Sequence, residues 1–123
     1  MPRVNGQPSE AEEQVALFQW AKLAEGSKPQ LRLLYAVPNG GRRDRIEAAH
    51  LKRQGVKAGV PDICLAYPKG VYHGLYIELK VGKNKPSQAQ REWLDMLKSA
   101  GYMAVVCYGF QEARETIEKY LTL

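Results

Sequence analysis

No run in this chain approaches the roughly 20 consecutive apolar residues that a membrane-spanning helix needs, and the N-terminus lacks the apolar core of a secretory signal. Both absences argue against membrane classes and set the expectation of a cytoplasmic protein. Cysteine is scarce. Cys64 and Cys107 lie far apart with no Cys-x-x-Cys spacing, and the two histidines add no finger pattern, so a disulfide framework and a structural zinc site are both poor fits. Each cysteine sits in an apolar, strand-like run and reads as a small buried thiol. Internal repeats and low-complexity segments are missing as well.

A strong charge imbalance is also absent: 18 Lys and Arg face 13 Asp and Glu, a net charge of +5 over 123 residues. Acids committed to a metal would leave the remaining surface more basic than this total, and the partner class that fits is a polyanion. With 45% hydrophobic residues the chain suffices for one core. Residues 1–8, which carry Pro, Gly and Asn without periodicity, read as a mobile arm; residues 9–123 read as a single domain.

Ser9 to Glu12 spells Ser-x-x-Glu, a capping box, and opens a helix to about Glu25 with Gln14, Leu17, Phe18 and Ala21 on one face and Gly26 as its stop. Glu10 has two readings, a favourable charge at the positive helix start or a group aimed at an active site. Leu31 to Val37 reads as a first strand, ended by Pro38-Asn39-Gly40-Gly41. Arg42, Arg43 and Arg45 follow beside the two glycines, either a phosphate-contacting loop or a solvated basic turn. Asp44 to about Gln54 is expected to be helical with Ile46, Ala49 and Leu51 inward. Farther on, Ser87 caps a helix to about Ala100 with Trp93, Leu94 and Leu97 buried. Tyr102 to Tyr108 suits a strand buried on both faces, and Gln111 to Leu121 closes the chain as an amphipathic helix. The strand, helix, strand order around Ser87–Ala100 implies a parallel crossover.

The chemistry concentrates between Gly59 and Lys80. Gly59-Val60-Pro61-Asp62-Ile63-Cys64-Leu65-Ala66-Tyr67 and Leu75-Tyr76-Ile77-Glu78-Leu79-Lys80 each read as a strand. Alternation puts Asp62 and Cys64 on one face of the first run, and Tyr76, Glu78 and Lys80 on one face of the second, opposite an oilier set of Leu75, Ile77 and Leu79. A hairpin centred on Gly70 sets Asp62 across from Glu78 with Cβ atoms about 5 Å apart, and Lys80 roughly 7 Å further along that face. Two such carboxylates need a cation beyond one lysine. Hard oxygen ligands with room for water suit Mg²⁺ or Mn²⁺. The plainer reading of Glu78 and Lys80 is a surface ion pair on an exposed strand.

Pro61-Asp62 together with Glu78-Leu79-Lys80 resembles the signature of the PD-(D/E)xK nuclease superfamily. Pro38-Asn39-Gly40-Gly41, the run Gly55 to Asp62, the run Tyr72 to Lys80, and Ser87-x-x-Gln90 together resemble the compact VRR-NUC family, particularly its stand-alone phage and prophage members, over Ser9 to Leu121. The late Val-Arg-Arg that names the family is replaced here by Val105-Val106-Cys107. The resemblance implies an α/β fold with a restriction-endonuclease-like core, a central mixed four-stranded sheet flanked by helices in α-β-β-β-α-β order. It implies a metal-dependent endonuclease, with Asp62, Glu78 and the backbone carbonyl of Leu79 as metal ligands and Lys80 as catalytic lysine. Glu10 then takes the place of the family's first-helix glutamate, with Glu13 as the fallback, and Gln90 that of its polar residue in the second helix. Compact members are associated with Holliday-junction cleavage as homodimers in a bacterial or phage-infected cell. DNA contacts are expected from Asn39, Arg42, Arg43, Lys57 and Lys83. The rival reading is a nucleic-acid-binding module that uses those basic loops without cutting; acids facing DNA would repel it unless a metal is present.

Overall fold

The computed structural model describes residues 6–38 and 45–123. Helix α1 spans Glu10–Ala24 behind a complete capping box, in which the Ser9 side chain accepts from the Glu12 N–H and the Glu12 carboxylate accepts from the Ser9 N–H. Leu17 and Ala21, four apart, face inward and are buried. Gln7 and Pro8, from the end of the segment read as an arm, line a small cavity with Val81, Gly82 and Tyr108.

The expected first strand is shorter than its apolar run. Pro29–Leu33 forms a 3₁₀ turn and only Leu34–Ala36 is strand β1. Pro29 opens the turn, where a missing N–H costs nothing. Leu31 and Leu34 are then both buried at a spacing of three, which a helical turn satisfies and a strand does not.

Strand β2 (Ile63–Leu65) and strand β3 (Leu75–Lys80) form the expected hairpin, with Ile63 opposite Ile77, Cys64 opposite Tyr76 and Leu65 opposite Leu75. Strand β1 pairs antiparallel with β2, and β4 (Met103–Tyr108) pairs parallel with β3 after helix α3 (Gln88–Ser99). The result is a mixed four-stranded sheet in the order β1-β2-β3-β4, a restriction-endonuclease-like α/β arrangement. Helices α1 and α4 (Gly109–Tyr120) cover one face, over Ile63, Leu65, Leu75, Ile77 and Leu79, all at most 1% exposed. On the other face α3 covers β3 and β4, where Leu94 and Leu97 meet Ala104, Tyr76 and Val106. Cys64 and Cys107 are free and buried, as their apolar surroundings suggested.

Helix α2 (Arg45–Arg53) forms where expected but does not pack as expected. None of its residues is buried and Ile46 is 73% exposed. Ile46 and Leu51 are five apart, about 140° around a helix, so they do not make a stripe that one surface could cover. Among the described residues no helix is long and apolar enough to cross a membrane.

Candidate active site

The path to Asp62 starts at the end of α2. Val56 donates its N–H to the Leu51 carbonyl and Gly55 donates to that of Lys52, with Gly55 at φ +99°, a self-contained Schellman stop. Four residues on, Gly59 adopts φ +92°, and a Cβ there would lie 2.8 Å from the backbone of Ala89 in the first turn of α3. Glycine thus lets the loop press against the helix that carries Gln90. Pro61 is buried, and Asp62 is fixed twice: its carbonyl accepts from the Val37 N–H at 2.7 Å, and its Oδ2 accepts from the Leu79 N–H at 2.9 Å. Because a strand residue points its N–H and C=O toward the same neighbour, the Leu79 carbonyl also projects toward Asp62.

Glu78 is a carboxylate in a place built for an apolar group, 1% exposed. Its Oε2 accepts from the Gln90 amide at 3.1 Å and lies 3.6 Å from Lys80 Nζ, too far for a direct hydrogen bond. Its Oε1 is buried with no hydrogen-bond partner. Burial, then the facing Asp62 carboxylate, push the Glu78 pKa up to about 8, against the pull of Lys80. Gln90 serves two elements with one amide. Its Oε1 accepts from the Ser87 N–H at 2.8 Å to complete the capping box of α3, which fixes the orientation that turns Nε2 toward Glu78.

Glu10 and Glu13, one turn apart on α1, separate into different jobs. Glu10 is half-buried near Lys80 and Asp62; burial raises its pKa, Lys80 lowers it and Asp62 raises it further. Glu13 turns the other way, and its Oε1 accepts from the Phe110 N–H at 3.0 Å. It supplies a cap that α4 lacks from its own residues, through the gap left by Gly109. The structure thus brings Asp62, Glu78, Lys80, Gln90 and Glu10 to one corner of the sheet and leaves Glu13 outside it.

Among the described residues no cluster of three or more His, Cys, Asp and Glu side chains is arranged to hold a metal. The donor set for a cation is therefore two carboxylates, Asp62 and Glu78, with the Leu79 carbonyl beside them. It fits a hard divalent ion, because the buried, unpartnered Glu78 Oε1 next to a second carboxylate is a group that a proton or a cation must satisfy.

Of the residues expected to touch DNA, Asn39, Arg42 and Arg43 lie outside the described residues. Lys57 and Lys83 are exposed on the loops that precede β2 and follow β3. Sequence reasoning missed Gly59 as the joint between loop and helix, since the need for it lies in a neighbour 30 positions away. It also missed the cap that Glu13 makes, which depends on the tertiary contact between α1 and α4.

Comparison with known proteins bears on the family and the fold. The family model described as the VRR-NUC domain matches residues 8–111. A solved structure described as a VRR_NUC domain protein superposes with a TM-score of 0.83 at 35% identity, covering 95% of this chain and 91% of that one. No curated protein matches the chain.

Proposed function

The chain belongs to the VRR-NUC family, a nuclease domain, and from that premise we propose that it is a divalent-metal-dependent endodeoxyribonuclease for branched DNA, with four-way junctions as the leading substrate. The observation that carries the reading is the buried Glu78 Oε1 with no partner, facing Asp62 and flanked by Lys80 and Gln90. An unfilled oxygen beside a second acid is poised for a cation.

Phosphodiester hydrolysis needs an acceleration well above 10¹⁰-fold, over about 14 kcal/mol of barrier, and a positioned base supplies only about 10²–10⁴-fold. Mg²⁺ or Mn²⁺ held by Asp62, Glu78 and the Leu79 carbonyl would polarise the phosphoryl oxygen and lower the pKa of water. The chain's own residues do the rest. Lys80 neutralises charge developing on the phosphate and orients the attacking water. Gln90 holds Glu78 in one rotamer, and Glu10 orients water from the α1 side. The leaving group is the 3′ oxygen. Exposed Lys57 and Lys83, with Asn39, Arg42 and Arg43, contact phosphates on either side of the cut.

Two cuts across a junction call for two sites at a fixed separation, so we also propose a homodimer of the stand-alone phage or prophage type, acting in the cytoplasm of a bacterial or phage-infected cell. Labelled four-way junction with and without Mg²⁺ or Mn²⁺ tests the activity, and light scattering at micromolar concentration tests the assembly. Metal-dependent paired incisions are expected. Tight binding with no cleavage under any divalent ion would replace this reading with a non-cutting DNA-binding module.

A further inference from the structure

Helix α3 covers only half of the sheet face that carries the acids. Its contacts fall on β3 and β4, and among the described residues no helix is seen to pack on the β1 side of that face, where Tyr35 is half-exposed. Cross-strand pairing aligns Tyr35, Cys64 and Tyr76 in one row on that face. Cys64 is buried, while Tyr35 is 49% exposed on the edge strand and Leu33, two residues back, is 47% exposed. Behind them Tyr76 meets Tyr102 edge-on at 5.4 Å, and Tyr102 meets His73 at 5.7 Å. Gly74 makes room for that file, since a Cβ there would touch the Tyr102 ring at 3.4 Å. The Tyr35 row lies two residues along the strands from Asp62 and Glu78, and Tyr35 is one strand from Asp62 and two from Glu78, so it stands roughly 8 to 12 Å from the acids, or about three base steps of a stacked strand.

We propose that Tyr35 is a stacking platform for an unpaired base of the strand whose phosphate is cut at Asp62 and Glu78, so that the substrate is DNA with at least one unstacked nucleotide beside the scissile bond. This deepens the nuclease reading and rests on it. An exposed aromatic ring about three base steps from the phosphate site is what a single strand uses, because every base has a π-face. The row of Tyr35, Cys64 and Tyr76 carries no formally charged side chain to repel that strand. A second protein copy seated on this patch would stand within one row of the acids and block the entry of the phosphate.

The test uses the full chain and two substrates of one sequence, a splayed-arm duplex with 2-aminopurine at the two unpaired positions next to the branch, and its linear duplex. In metal-free buffer, wild-type protein should change the 2-aminopurine emission of the splayed substrate, and Tyr35→Ala should abolish that change. With Mn²⁺, Tyr35→Ala should lose about 5- to 100-fold in single-turnover cleavage of the splayed substrate and at most about twofold on the linear one, whereas Tyr35→Phe should match wild type. Tyr35→Leu repeats the experiment with the apolar packing kept, in case Tyr35→Ala lowers stability on the edge strand. Equal losses on both substrates, or an unchanged emission response in both variants, overturn the platform. A change from dimer to monomer in Tyr35→Leu with uniform loss of cutting would likewise overturn it, in favour of an interface between copies. If wild type cuts neither substrate nor a four-way junction, the nuclease reading fails, and the metal-free emission still decides the platform.

Discussion

Helices α1 and α3 begin with the same four-residue device, and the difference between them is one atom. Ser9 and Ser87 each cap the N–H three residues on, and the residue there returns the bond to the serine N–H. In α1 that residue is Glu12 and in α3 it is Gln90. Where the glutamate has a second oxygen, the glutamine has an NH₂ group, and this NH₂ reaches Glu78. A carboxylate there would put a third acid against a side chain already held high by burial and Asp62. Two capping boxes that look interchangeable as helix starts are thus distinguishable by whether the third position must also donate.

The largest effect comes from removing what Gln90 serves. Asp62→Ala, Glu78→Ala and Lys80→Ala should each lower cleavage by about 10³-fold or more, ~4 kcal/mol of barrier, in single-turnover assays, while circular dichroism stays native. Normal activity in Lys80→Ala would sink the mechanism. Next comes the exchange of the boxes. Gln90→Glu keeps the cap but should cost about 10–100-fold in metal affinity or rate; Glu12→Gln should change cleavage little and stability by less than about 0.5 kcal/mol. Equal effects would erase the distinction between the two helices.

A subtler test reads the carboxylate that Gln90 holds. Its pKa rises on folding from 4.5 to about 8, so between those values the native state binds the extra proton and stability falls as pH rises. In metal-free buffer the thermal midpoint should therefore decline from about pH 4.5 through about pH 8, and Glu78→Gln should flatten that decline. Mn²⁺ should restore the midpoint most at the alkaline end. A wild-type profile superimposable on that of Glu78→Gln would mean that Glu78 is not the group being titrated. The smallest effect is on the caps themselves: Ser9→Ala and Ser87→Ala should each cost about 1 kcal/mol in denaturant melts, but only Ser87→Ala should also slow cleavage, by loosening the anchor of Gln90.

Much of this is legible in the sequence. Alternation in two short runs and a turn at Gly70 suffice to put Ile63 opposite Ile77, the pair next to Asp62 and Glu78, because strand period and hairpin register are local properties. Both capping boxes are local too. The 3₁₀ turn at Pro29–Leu33 was hidden because Leu-rich runs serve a strand or a turn equally until their burial partners are known. The exposure of α2 was hidden for a related reason: a helix can form on local bonds and still find no surface to bury its apolar residues. Choosing Glu10 over Glu13 required knowing where α4 begins, a contact 97 positions away along the chain.

The contact between Gly59 and Ala89 gives the molecule an uneven tolerance to change in length. Upstream, α2 is closed by its own bonds at Gly55 and has no fully buried residue, so changes in its length are expected to be tolerated if the helix still ends in glycine. From Gly59 to Asp62 no such freedom exists, since one inserted residue would slide the acid off its bond to Leu79 and turn it to the opposite face. Any effort to retarget this nuclease to other DNA shapes has its natural entry point before the glycine and its hard stop after it.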